Sequence, residues 1–405
     1  MIRSARWTIA ASSVFLGAFA LSACGPGDST GSSMPAMGAR SGGARGAVGL
    51  GKVLTTKDGG QIFGFAVDQH GDDGILASSQ DASKPGTFKV SVETFDQNTG
   101  RVTSSFARST GTRNSYSVDG IFAGDVALVT HYVEPKNSLY ALRKYETVDP
   151  VTAQKFTGTW TPRVKDVDVL ASADNQGTTT SVVFAIELKH QDRPDLIVSN
   201  VAANTFGKLI HLDPNLFGLG NGPQLGQYVA ANQAVIALSP DGGAVGGSAP
   251  INVLIDLSTG KTSEFAGYNN GYFHAGYVNG LAVDPNTGVA ATDTELNAQV
   301  EFYDLKTQKG IAAVQLPCTG PTSQSNSGAG ITVDPVNRLF LVTDPFYCDG
   351  SAGSALVVYD ESGNFVESIQ GFTFAIAEPP VAINPSKRMG WAFGPKFNQL
   401  QQFSY

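Results

Sequence analysis

From residue 50 onward, apolar and polar positions alternate in short runs broken by Asp, Asn, Gly and Pro, and no stretch holds a helical period of useful length. One arrangement recurs: an apolar run, Asp or Asn, Pro, turn residues, a second apolar run and Thr-Asp. It is clearest in LAVDPNTGVAATDT (281–294) and ITVDPVNRLFLVTDP (331–345). Weaker copies are FAVDQHGDDGILASS (65–79), YSVDGIFAGDVALVT (116–130), DVDVLASADNQGTTTSVVFA (166–185), VIALSPDGGAVGG (235–247) and VAINPSKRMGWAFG (381–394). The seven copies start 51, 50, 69, 46, 50 and 50 residues apart, and the long third step holds the Gly/Pro-rich stretch DPNLFGLGNGPQLGQ (213–227) as an insertion. A period near fifty marks a propeller or a solenoid.

Each unit has a second half in which an alternating run closes on a polar turn: VSVETFDQNTG (90–100), NVLIDLSTG (252–260), VEFYDLKTQKG (300–310) and LVVYDESGN (356–364). Asp accepts hydrogen bonds from its own following backbone and Gly or Asn takes the positive φ, so these are hairpins. Two strands before and two after give four strands per unit, and seven such units predict an all-β, seven-bladed β-propeller. The last unit ends at QLQQFSY (399–405) after three strands. The segment LGKVLTT (50–56) is a spare strand that would complete that blade as its outer edge and close the ring.

The repeats resemble the NHL and YVTN-type propeller superfamily: AVDPNTGVAATDTELNAQVEFYDL (282–305) is similar to an NHL unit and LSPDGG (238–243) to the first turn of a YVTN-type unit. Neither the Trp-Asp dipeptide nor the kelch pattern appears. The resemblance implies architecture more than activity, because propellers host binding, scaffolding, lyase and lactonase functions alike.

The amino terminus differs. Arg3 and Arg6 precede an apolar run (7–21) too short to span a bilayer, and the run ends in Leu21-Ser22-Ala23-Cys24. This resembles a bacterial lipobox, which implies a signal peptide over 1–23, cleavage before Cys24 and acylation of that cysteine. Two or three acyl chains hold a protein on a lipid bilayer where one would leak. Gly25 stands where aspartate would favour inner-membrane retention, so the outer membrane of a bacterial envelope is the expected location. Residues 24–49 are rich in Gly, Ser, Ala and Pro and read as a flexible tether of about 25–30 Å. Residues 50–405 form the propeller domain.

Composition narrows the partners. Charged residues make up 15% of the 405-residue chain and the net charge is -8, so no clustered basic footprint for nucleic acid is present. Cys318 and Cys348 are the two cysteines of the domain; they fall in neighbouring connections of one face, and an exported chain favours a disulfide between them. No His-Glu-x-x-His, paired-cysteine metal spacing, Gly-x-Ser-x-Gly elbow or phosphate loop occurs. His131, His190 and His274 are placed in loops of the cysteine-bearing face, with Asp293 and Asp344 at the position of His131; solvated or turn-capping roles are the ordinary ones for such residues.

The segment GYNNGYFHAGYVNG (267–280) stands out, with Tyr268, Tyr272, Phe273, His274 and Tyr277 among adaptable asparagines. Such a loop suits a protein or glycan partner in the envelope. The sequence thus reads as a lipid-anchored binding or scaffolding module without a required cofactor. The alternative is a metal-dependent lactonase or lyase of the gluconolactonase-like propeller kind, in which Glu378, Asn279, Asp166 and Asn232 before or at the start of innermost strands would hold a divalent cation, Ca or Zn. That family's glutamate before the first inner strand has no counterpart in GGQIFGFAVD (59–68).

Overall fold

The computed structural model describes residues 48–81, 87–112, 116–122, 126–133, 142–154, 156, 167–173, 181–187, 194–200, 205–211, 221–230, 233–240, 251–266, 278–294, 299–316, 330–344, 354–375 and 380–405. Among them are 27 strands and no α-helix. β1 (Gly49–Thr55) comes first. The next sheet holds β2 (Gln61–Val67), β3 (Asp73–Asp81), β4 (Thr87–Asp96) and β5 (Arg101–Thr112). Then come β6 (Tyr116–Phe122), β7 (Val126–Val133) and β8 (Leu142–Val148). The third sheet contains β9 (Val167–Ala173), β10 (Ser181–Glu187), β11 (Pro194–Asn200) and β12 (Thr205–Ile210), and the fourth β13 (Asn221–Ala230), β14 (Gln233–Pro240), β15 (Ile251–Asp256) and β16 (Thr262–Ala266). The fifth is β17 (Val278–Val283), β18 (Val289–Thr294), β19 (Gln299–Asp304) and β20 (Lys309–Gln315). The sixth is β21 (Ile331–Asp334), β22 (Leu339–Asp344), β23 (Ser354–Asp360) and β24 (Phe365–Phe372). The chain ends with β25 (Val381–Asn384), β26 (Met389–Phe393) and β27 (Gln399–Ser404).

Within each sheet the strands pair antiparallel in chain order. The exception is the seventh, ordered β1-β27-β26-β25, in which β1 pairs antiparallel with β27 from Gly49↔Ser404 to Thr55↔Gln399. The first strands of successive sheets lie beside one another in the order β2, β6, β9, β13, β17, β21, β25, and β25 lies beside β2. They begin 50 to 57 residues apart, more evenly than the sequence copies. The difference lies in the fourth unit. Half of the stretch expected as an insertion is strand β13, and the copy beginning at 235 is the second strand, β14, so the sequence reading was displaced by one strand there.

The core lies between sheets rather than inside one. In β4, Val90 and Val92 join Ile75, Val118 and Val129 against the second sheet, while Phe95 joins Leu54, Leu76, Trp391 and Leu400 against the seventh. Phe95 and Trp391 meet edge to face at 5.3 Å. Phe302, Phe340 and Tyr359 fill the space between the fifth and sixth sheets. Strands with both faces covered are apolar almost throughout, as in SALVVYD of β23.

One turn design recurs at the end of third strands. The side chain of its first residue accepts backbone N–H bonds: Thr99 donates to Asp96, Val151 to Asp149, Ser258 to Asp256 and Lys306 to Asp304, at 2.7–2.8 Å. The fifth residue takes positive φ, as glycine at Gly100 and Gly260 but as Ala153 (φ 59°) and Gln308 (φ 55°) elsewhere. A β-carbon is strained in that region. Gln308→Gly is therefore expected to stabilise the protein by about 0.5 kcal/mol, read as a rise in denaturant midpoint at constant m-value.

Candidate functional site

The strand order divides the connections between two ends of the sheets. At one end are the links from first to second and from third to fourth strands, two to seven residues long; at the other are the links from second to third strands and those crossing from a fourth strand to the next sheet, which run from three to fifteen residues. The 18-residue link from β8 to β9 leaves the three-stranded second sheet from the first of these ends. Long connections carried on a rigid sheet scaffold are where binding residues concentrate.

The turn end is internally committed. Asp334 accepts from Val336 N at 2.9 Å, from Asn337 and from the Tyr405 hydroxyl at 3.0 Å. Asn384 donates its amide to the carbonyls of Asp68 and Gly71 and to the Gln97 side chain, and Gln97 donates to the carbonyls of Asp68 and Asp73. Donors from the Ser258 hydroxyl and backbone hold the Asp256 carboxyl below its ordinary value. At Asp149 burial works upward, but the N–H groups of Val151 and Thr152 and the Thr152 hydroxyl outweigh it and the carboxyl is lowered. These carboxylates are turn acceptors.

At the loop end, the described part lies where the seventh sheet meets the first. The link from β1 to β2 is tied down by Thr56 N donating to Asn398 O (3.0 Å), Ile62 N to Phe397 O (2.8 Å) and Lys57 N to the Glu93 carboxylate (3.0 Å), while the Ser91 hydroxyl donates to Asp58. Phe63 and Phe397 are exposed there, 42% and 43% of their surface. Phe63 is the extra residue where the β2–β3 register shifts between Ile62 and Gly64, a bulge that re-aims a side chain. Asn279 holds the same place in β17, between Val278 and Gly280.

Beneath this link Glu93 is fully buried, and one carboxylate oxygen, Oε1, has no hydrogen-bond partner. Burial pushes its carboxyl upward, Asp58 adds to that, and the Lys57 N–H opposes it. Glu146 and Glu301 are buried at the equivalent place, three residues before Asp149 and Asp304. Sequence reasoning passed over this trio, although the signal was present as Glu-x-x-Asp in VETFD, YETVD and VEFYD.

The residues singled out from sequence fall mostly elsewhere. Cys24, Cys318, Cys348, His190, Tyr268, Tyr272, Phe273, His274, Tyr277, Glu378, Asp166 and Asn232 lie outside the described residues. The strands that flank them still fix which connection each belongs to. The segment 267–277 joins β16 to β17 at the loop end. In chain order Cys318 lies between β20 and β21 and Cys348 between β22 and β23. Asp166 precedes β9 and Glu378 precedes β25. In the chain Asn232 precedes β14, which is the second strand of its sheet and not a first strand. His131 is a strand residue opposite Tyr116, Asp293 lies within β18 opposite Gly280, and Asp344 closes β22, buried. Among the described residues no three of His, Cys, Asp and Glu gather as a metal-binding group.

No protein-family model and no curated protein matches the chain. Solved structures do. It is similar to Raptor of Chaetomium thermophilum, with a TM-score of 0.59 and 10% identity over 88% of this chain; the match spans 29% of Raptor's length. It is similar to the WD40 repeats of RRP9, with a TM-score of 0.53 and 13% identity over 87% of this chain and 96% of that one. The β-propeller domain of Cps50 (Swd1) from Myceliophteria thermophila gives a TM-score of 0.52 and 11% identity, over 89% of this chain and 100% of that domain. At these identities the likeness carries the fold. The protein is an all-β chain with a β-propeller architecture.

Proposed function

We propose that the protein is a lipid-anchored β-propeller of the bacterial envelope, held at the outer membrane through acylated Cys24, that binds a protein or glycan partner with its loop end. The ring is read as seven blades of the NHL or YVTN type, closed by β1 on β27. One observation supports the binding assignment: links of two to seven residues with committed carboxylates join strand ends at one end, and every link of eight to fifteen residues joins strand ends at the other. Of these, 267–277 combines three tyrosines, a phenylalanine and a histidine with two asparagines. Aromatic rings give large contact area at small entropic cost, and the amides supply adaptable hydrogen bonds.

The test compares the full chain with Tyr272→Ala and with a turn-end control, Val336→Asp, against arrays of envelope proteins and glycans. The expected result is a loss of about tenfold or more for Tyr272→Ala and none for the control. Binding that survives Tyr272→Ala and is lost with Val336→Asp would place the partner at the other end.

A further inference from the structure

The turn between β17 and β18 contains a carboxyl group with unusual surroundings. Asp284 is fully buried, 0% exposed, and its Oδ1 accepts from Asn286 N at 2.7 Å as in the other turns. Its Oδ2 is also buried and has no hydrogen-bond partner among the described residues, and the Glu361 carboxyl of the β23–β24 turn bears on Asp284 with a like charge. Glu361 accepts from the Thr287 hydroxyl of the Asp284 turn, and Asn286 reaches across to the Pro335 carbonyl at 3.1 Å. Two acids thus meet where the fifth and sixth sheets are joined.

The other charged groups around this joint are committed or turned outward. Asp334 is saturated by Val336, Asn337 and Tyr405. Asp360 accepts from Ser362 and Asn364, and Asp304 from Lys306 and Thr307. Lys306, packed beside Gly288, is exposed. Like charges this close, with one of them desolvated, do not both ionise, and a proton between the two oxygens removes the repulsion and supplies the missing partner.

We propose that Asp284 and Glu361 share one proton that fastens the fifth sheet to the sixth, and that releasing it to solvent loosens this joint. The direction of titration agrees. Burial first, and Glu361 second, push the Asp284 carboxyl up to about 6 from 3.8. Because the folded protein holds this proton more tightly than the unfolded chain, the contribution is complete below the unfolded value and is lost as pH rises through about 6. The seventh sheet shows the neutral solution in the same place, where Asn384 donates to carbonyls across the neighbouring joint.

The experiment follows thermal unfolding of the full chain, Asp284→Asn and Glu361→Gln from about pH 4.5 to about pH 7.5. Asn keeps the turn acceptor and Gln keeps the acceptor for Thr287, so each removes the repulsion alone. The expected result is that both variants gain on the wild type as pH rises, Asp284→Asn by about 2 °C at the upper end. A carboxylic-acid carbonyl band in the difference infrared spectrum should disappear over the same range and be absent in Asp284→Asn. Should one variant fail to fold, the other and the band decide. Parallel pH profiles for all three proteins, or a band unchanged by Asp284→Asn, would overturn the proposal. So would calcium alone raising the wild-type midpoint at about pH 7.5 but not that of Asp284→Asn, which would put a cation where the proton is assigned.

Discussion

A chain lacking Gly49–Thr55 is expected to unfold about 7 °C or more below the intact protein and to lose its single cooperative transition. The deleted strand is the only described partner of the outer edge of β27, with register partners from Gly49↔Ser404 to Thr55↔Gln399. It also delivers Leu54, 1% exposed, into the cluster with Phe65, Phe95, Trp391 and Leu400. Burial of one leucine contributes about 1.5–3 kcal/mol and each net hydrogen bond about 1 kcal/mol. The total of at least about 5 kcal/mol is a large part of a domain's stability. Removing the strand also frees the link in which Lys57 N caps Glu93, leaving a buried carboxyl with one partner fewer. Differential scanning calorimetry checks both statements, and an unchanged midpoint with one sharp transition would refute the closure.

Asn384→Ala is expected to cost about 3–5 kcal/mol, with the m-value unchanged in denaturant unfolding. One amide group donates to three acceptors from a different sheet: the Asp68 carbonyl at 3.0 Å, the Gly71 carbonyl at 2.8 Å and the Gln97 side chain at 3.3 Å. Asn384 and Gln97 are both fully buried, so truncation leaves acceptors that no solvent reaches. Gln97 is held in turn by Gln402, which donates to its carbonyl at 2.7 Å, so buried amide groups join the seventh and first sheets, with the Lys387–Asp72 ion pair at the surface beside them. Asn384→Asp should cost nearly as much, because it replaces the donor by a fourth acceptor. A change below about 1 kcal/mol for Asn384→Ala would show that the network is not a fastening.

Much of this architecture was legible because each unit restates its turn chemistry. Asp334-Pro-Val-Asn-Arg338 and Asp284-Pro-Asn-Thr-Gly288 are spelled alike because both must accept a backbone N–H and then pass through positive φ. The fourth unit misled for a physical reason. β13 carries Gly222, Pro223 and Gly226, residues that ordinarily break a strand, but it is the first strand of its sheet and pairs on one edge alone. A proline there forfeits no ladder bond on the open side. That displacement by one strand also explains why Asn232 reads from sequence as preceding an innermost strand, although it precedes β14.

Glu93 escaped notice for another reason. Alternation assigns a glutamate in VSVETFD to solvent, yet β4 is covered on both faces, so Glu93, on the same side of the strand as Phe95, faces the joint with the seventh sheet. Burial between sheets is a tertiary property with no period of its own.

Amide hydrogen exchange on the full chain tests the central claim most directly, because it asks whether the two ends of the domain form one cooperative sheet in the native protein. The account predicts that Gly49–Thr55 and Gln399–Ser404 exchange slowly, at a common rate, and are exposed together as denaturant is added. Exchange of Gly49–Thr55 at the rate of an unstructured peptide, while Gln399–Ser404 stays protected, would contradict it.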